Sequence, residues 1–242
     1  MRYGLFFVLL VSLVPPVGAG TITNGGFETG NLTGWSSSGA ASVVGAGFGS
    51  GPTEGSYEAF LSTGAGAQSR PIIESFLGLP AGTLNSLAGP LFATEGSAIK
   101  QVITANAGDV LSFDWNFLTN EATPNAVYND FAFWVLVNEH TGQVLANTFS
   151  SFSPSSTSFF EETGFTTTSY TFSTSGTFTL GFGVMDAAAG TDTAIDSGLL
   201  VDNVRLTAAA IPEPPTAILA SIAAVITGFV PRRNQVRWSR SG

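Results

Sequence analysis

Between residues 20 and 210 the chain carries sixteen acidic side chains and only three basic ones, Arg70, Lys100 and Arg205, so carboxylates are the groups that could do chemistry. In pairs they can cleave glycosidic bonds, and in clusters they collect divalent cations. Glu161 and Glu162 are adjacent in a loop, although neighbours in sequence need not converge on one bond. Asp114 and Glu121 are a second pair that could face a cleft, but their separation is not fixed by the sequence. Asp202 is the most informative acid. Counting by two puts it on one strand face with Leu200, Val204 and Leu206, and a carboxylate on an apolar face needs a partner. Other chemistry is scarce. The absence of cysteine excludes disulfides, thiol catalysis and thiolate metal sites. His140 is the only histidine and lies in a stretch, Asn138 to Gly142, that reads as a turn. It cannot form a multi-histidine metal site, and no G-x-S-x-G nucleophile elbow accompanies it. The acidic excess repels phosphate backbones and excludes nucleic acid as a partner.

The elements that must position these acids read as short strands. Leu111, Phe113, Trp115 and Phe117 alternate with polar residues, as do Phe178, Leu180, Phe182 and Val184 with Thr and Gly. Phe131 to Val137 is apolar throughout and predicts a strand covered on both faces. Further strands are expected at 42–44, 57–62, 99–104, 144–149, 166–173 and 199–206. Residues 71–97 read mostly as a long surface loop with at most one or two helical turns from Ile72 to Leu79, and 150–158 reads as a loop. Many short strands punctuated by Gly, Asn and Ser predict an all-β, antiparallel sandwich over residues 20–210. Trp35, Trp115 and Trp134 could stack on sugar rings, but their settings favour the core. A sugar site would more naturally use the loop 122–130, where Tyr128 lies among Asn125, Asn129 and Asp130.

The termini carry addressing signals. Residues 1–19 have a basic start, an apolar run from Leu5 to Val14 and small residues at Val17 and Ala19, which predicts a signal peptide cut after Ala19. At the other end, Pro212-Glu213-Pro214 precedes an apolar run at about 216–230 and then Arg232-Arg233. That run gives a helix of roughly 22 Å, short of a bilayer core; the paired arginines favour a short membrane helix with a cytoplasmic end. The alternative is a Pro-rich linker into an ordinary tail helix.

This tail resembles the PEP-CTERM sorting signal of exported bacterial proteins: Pro212, Glu213 and Pro214 match the triplet, and Arg232 and Arg233 the basic end. The resemblance implies an exosortase-type processing enzyme as partner, transient anchoring in the inner membrane, and a final place at the cell surface or in the extracellular matrix. Pro231 and the extension from Asn234 to Gly242 depart from the pattern. The domain resembles galactose-binding-like jelly rolls, the fold of many carbohydrate-binding modules, through Asn24-Gly25-Gly26-Phe27-Glu28, Gly34-Trp35, Glu54-Gly55-Ser56-Tyr57 and Leu200 to Leu206. That resemblance implies that the first and last strands lie close and that Glu28 and Asp202 help hold a structural calcium, with backbone carbonyls and Ser56 completing the shell. The competing expectation is that backbone amides, Arg205 or water satisfy Asp202. The expected function is a non-catalytic exported protein that binds glycan or packs into exopolysaccharide; the alternative is a secreted glycoside-acting enzyme using loop carboxylates.

Overall fold

The computed structural model describes residues 20–189 and 195–209. The signal peptide and its cut at Ala19, the triplet at 212–214, the helix at 216–230 and Arg232-Arg233 lie outside the described residues. Among the described residues no helix is long and apolar enough to cross a membrane.

The domain is an antiparallel sandwich of two sheets. In chain order its strands are β1 (Ser36–Ser38), β2 (Ala40–Gly45), β3 (Tyr57–Ser62), β4 (Gln68–Ser69), β5 (Phe92–Ala105), β6 (Val110–Thr119), β7 (Phe131–Val137), β8 (His140–Asn147), β9 (Ser153–Pro154), β10 (Glu161–Glu162), β11 (Thr166–Thr171), β12 (Gly176–Ala188) and β13 (Ser197–Thr207). One sheet runs β1-β5-β12-β7-β8, with β4 also on β5; the other runs β2-β3-β13-β6-β10-β9, with β11 also on β6. The two alternating segments behave as their pattern requires. Leu111, Phe113, Trp115 and Phe117 from one sheet meet Phe178, Leu180, Phe182 and Val184 from the other in a single core. Phe27, Trp35 and Trp134 join them, so all three candidate tryptophans are core residues.

β7 is covered on both faces. Ala132, Trp134 and Leu136 enter the inter-sheet core, while Phe131, Phe133 and Val135 enter a second core beneath two helices. Of those helices, α1 (Arg70–Leu77) answers to the one or two turns expected from Ile72 to Leu79, whereas α2 (Thr83–Leu87) and a β5 that begins seven residues earlier than its apolar run suggests correct the loop expected over the rest of 71–97. Pro71 starts α1 where its missing amide costs nothing, and Gly78 at φ 77° ends it. The buried Glu74 carboxylate accepts hydrogen bonds from Arg70 at 2.7 Å, Gly82 N at 3.1 Å and Leu84 N at 2.9 Å, which ties the start of α2 to α1. Residues 138–142 also differ from expectation. The turn is only Asn138-Glu139, and His140 already opens β8 opposite Leu136.

Gly181 and Gly183 are what let α1 and its core approach β12. A Cβ on Gly181 would meet Leu77 at 2.6 Å and Val135 at 2.9 Å, and one on Gly183 would meet Phe133 at 2.4 Å. Gly181→Ala should therefore cost about 1–3 kcal/mol by overpacking. Chemical denaturation should show a lower midpoint with an unchanged slope; an unchanged midpoint would mean that α1 is free to shift away.

Candidate functional site

Two places carry the chemistry. The first is the outer face of the second sheet. Glu58 on β3, Asp202 on β13 and Asp114 on β6 form a row across three adjacent strands. Asp202 pairs directly with Asp114, and Glu58 lies one step beyond the Val201–Ala59 pair. The face of Asp202 differs from the expected one. A bulge between Asp202 and Arg205, with Asn203 at φ 56°, inserts one residue and shifts the alternation. Leu200 and Asp202 therefore point outward, while Val201 and Val204 point into the inter-sheet core.

All three acids of the row are buried, and like charges opposite one another on adjacent strands repel. The loop between β2 and β3 supplies most of the donors. Asp202 Oδ2 accepts from Thr53 N at 2.8 Å, Glu54 N at 2.8 Å and Thr53 Oγ1 at 3.0 Å, and its Oδ1 accepts from Asn203 N at 2.6 Å. Burial still raises its pKa against the lowering effect of these bonds. Asp114 feels the same burial, but hydrogen bonds from Thr167, Asn203 and Thr53 and the charge of Arg205 outweigh it and hold its carboxyl below the usual range. Glu28 Oε1 accepts from Ser56 N and Tyr57 N, both at 2.9 Å. Glu54 Oε2, Asp202 Oδ1 and Glu28 Cγ each lie within 4 Å of the Cβ position on Gly26, so Glu28 and Asp202 are neighbours, but Asp202 accepts hydrogen bonds from the backbone amides of Thr53, Glu54 and Asn203, as the competing expectation has it. Among the described residues no group of three or more His, Cys, Asp or Glu stands in metal-holding geometry.

Glu58 is the exception in the row, since neither of its oxygens has a hydrogen-bond partner. It lies against Gly51, where a Cβ would fall 1.7 Å from Glu58 Oε1 and where φ is 132°. Burial, then the charges of Asp202 and Glu162, push it up to about 8.

The second place is a cleft of about 330 Å³ lined by Asn120, Ser158, Phe160, Ile195 and Asp196. Phe160 is 72% exposed. Its neighbour Phe159 turns into a small core with Leu118 and Leu200, which leaves the second ring outside. Asn120 fixes it there: its side-chain oxygen accepts from Phe160 N at 3.0 Å, and its own N–H bonds the Asp196 carbonyl at 3.1 Å. The cleft thus joins an exposed ring to an amide, a hydroxyl and a carboxylate, a combination suited to a polyhydroxylated ligand.

Several sequence candidates are committed elsewhere. In the loop expected to bind sugar, Asn125 Oδ1 accepts from Val127 N and Tyr128 N, and Asn129 Oδ1 accepts from Thr148 N and Oγ1. Those groups hold the loop itself, and none of its residues lines the cleft. Glu161 and Glu162 are not in a free loop but form β10, paired to β6 and β9; Glu162 bonds Asn116 and Ser155, and Glu161 bonds Thr123. Glu121 is buried and accepts from Asn125, away from Asp114. The cleft residues went unnoticed because three distant segments build it; the one local signal was a Phe-Phe pair in a Ser-rich loop.

No family model and no curated protein matches the chain. Among solved structures it resembles TmCBM61 in complex with β-1,4-galactotriose, with 15% identity over 76% of this chain and 95% of that one and a TM-score of 0.41. It also resembles the K1 cleaved adhesin domain of Lys-gingipain from Porphyromonas gingivalis, with 14% identity over 76% and 96% and a TM-score of 0.40. A third is the enzymatically active domain of tailspike protein 4 from bacteriophage CBA120, with 11% identity over 77% and 21% and a TM-score of 0.38. At these values the likenesses decide nothing about ligand or activity.

An acid whose pKa rises on folding loses stability as pH rises. Below its ordinary 4.5 both states are protonated, between there and about 8 only the unfolded state ionises, and above about 8 the loss is complete. Glu58→Gln escapes that loss. In chelator, its melting temperature should exceed that of the unaltered protein by a margin that widens from acid to mildly alkaline pH; a constant margin would refute the assignment.

Proposed function

We propose that the chain is an exported, non-catalytic surface or matrix protein whose sandwich, of the galactose-binding-like jelly-roll type, binds glycan at the Phe160 cleft. The observation that carries this is the exposed Phe160 ring set beside Asn120, Ser158 and Asp196. A ring offers a flat apolar surface to the C–H face of a sugar, and the polar groups can meet its hydroxyls. Among the described residues the cleft lining also offers a carboxylate, Asp196, which can accept from a sugar hydroxyl. Phe160→Ala should leave the circular dichroism spectrum unchanged and weaken binding of any glycan retained on an array by roughly tenfold, about 1.4 kcal/mol. Equal retention by the variant, or no retained glycan at all, would refute the reading.

Structural calcium at Glu28 and Asp202 is a second part of the proposal. Glu54 Oε2 and Asp202 Oδ1 lie near Gly26 with the Glu28 side chain beside them, and all three carboxylates offer only oxygen, the donor calcium takes. Sorting is the third part: export through a signal peptide cut after Ala19, then anchoring by the 216–230 helix and processing by an exosortase-type enzyme at Pro212-Glu213-Pro214. Replacing those three residues by alanine should leave an unprocessed precursor in the inner membrane. Unchanged processing on an immunoblot of membrane and surface fractions would count against the signal.

A further inference from the structure

At one end of the sandwich the ends of strands from both sheets enclose a second group of acids. Asp186 belongs to β12 at a register shift between Met185 and Ala187. Val184 before it points into the inter-sheet core, whereas Met185 and Ala187 point into the helix-side core, so Asp186 continues the inter-sheet file. Asp130, the residue before β7, lies beside it. Asp130 Oδ2 accepts from Ser197 Oγ at 2.7 Å and Oδ1 from Ala187 N at 3.1 Å. Ser197 Oγ is 2.9 Å from Thr119 Oγ1, and Ser197 N donates to Thr63 Oγ1 at 2.9 Å. Asp130, Asp186, Ser197, Thr119 and Thr63 are each 2% exposed or less.

Asp186 is the anomaly, because neither of its oxygens has a hydrogen-bond partner. Thr63, Asp130 and Glu95 are the polar groups close enough to act on it, and the Thr63 hydroxyl is directed at the Ser197 carbonyl, at 3.4 Å. A buried carboxylate left in this state is strongly disfavoured as a bare ion and so takes up a proton or a cation. The three Lys and Arg side chains of the domain are engaged elsewhere: Arg70 with Glu74, Lys100 with the carbonyl and ring of Phe76, and Arg205 with Asn203.

We propose that Asp130 and Asp186 form a site for a hard divalent cation of the calcium class, which joins the two sheets at this end of the sandwich. The donors are all oxygen. Two carboxylates come from the β12 and β7 side, the Ser197 and Thr63 hydroxyls from the β13 and β3 side, and water or backbone carbonyls complete a shell of six to eight. Burial and the charges of Asp130 and Glu95 raise the proton affinity of Asp186, so proton and metal compete for one position. The site is separate from Glu28 and Asp202, and it does not depend on glycan binding.

The test is isothermal titration of calcium, with magnesium as a second arm, into the metal-stripped full chain and its variants, together with thermal melts. Asp186→Asn removes one of two facing negative charges. In chelator it should melt above the unaltered protein, yet bind one equivalent of calcium fewer and gain less from calcium. Glu28→Gln should leave that equivalent in place, which distinguishes the two sites. Ser197→Ala keeps both charges and removes a ligand hydroxyl; it should weaken calcium binding several-fold, and it decides the matter if Asp186→Asn fails to fold. Equal calcium uptake by the unaltered protein and Asp186→Asn, including no uptake by either, overturns the proposal in favour of a carboxyl pair that shares a proton.

Discussion

Three carboxylates lie side by side across β3, β13 and β6, and the loop laid over them makes the arrangement tenable. A row of like charges would ordinarily push its strands apart. Here the backbone amides of residues 53 and 54 and the Thr53 hydroxyl turn towards Asp202, and the amides of 56 and 57 turn towards Glu28. The acids gain donors, and the loop gains acceptors for amides that β3 does not use. The geometry of this exchange also depends on Gly51, whose missing side chain leaves room for Glu58.

The same chain solves the problem of burying charge in three different ways. Glu74 is satisfied by an arginine and the first amides of a helix, Asp114 and Asp202 by hydroxyls and amides, and Glu58 and Asp186 by neither. A domain with three cations for sixteen acids cannot neutralise its buried carboxylates by ion pairing alone. Serine, threonine and asparagine take over that work. This gives a physical reason for so many hydroxyls along the strand faces that carry the acids.

The fold was legible where one face of a strand meets one core. Leu111 to Phe117 and Phe178 to Val184 announce themselves by period two, and Phe131 to Val137 by an apolar run that only double coverage explains. It was illegible where a single residue breaks the count. Asn203, in a left-handed conformation, reverses the faces of everything after Asp202, and no pattern of apolar residues marks that step. The first helix showed as a turn or two between Pro71 and Gly78, whereas the second, at five residues, holds too little periodicity to be seen. The Phe160 cleft could not be read at all as a site, because Asn120, Phe160 and Asp196 meet only after β6, β10 and β13 have paired.

Both broad sides of the sandwich are roofed, one by α1 and α2, the other by the segment over the acid row and the Phe48–Phe60–Phe159 cluster. A roofed sheet cannot serve as a landing strip for a long, flat polymer. The Phe160 cleft is a space of another kind, about 330 Å³ between loop segments, on the scale of a compact group and not of a chain laid flat.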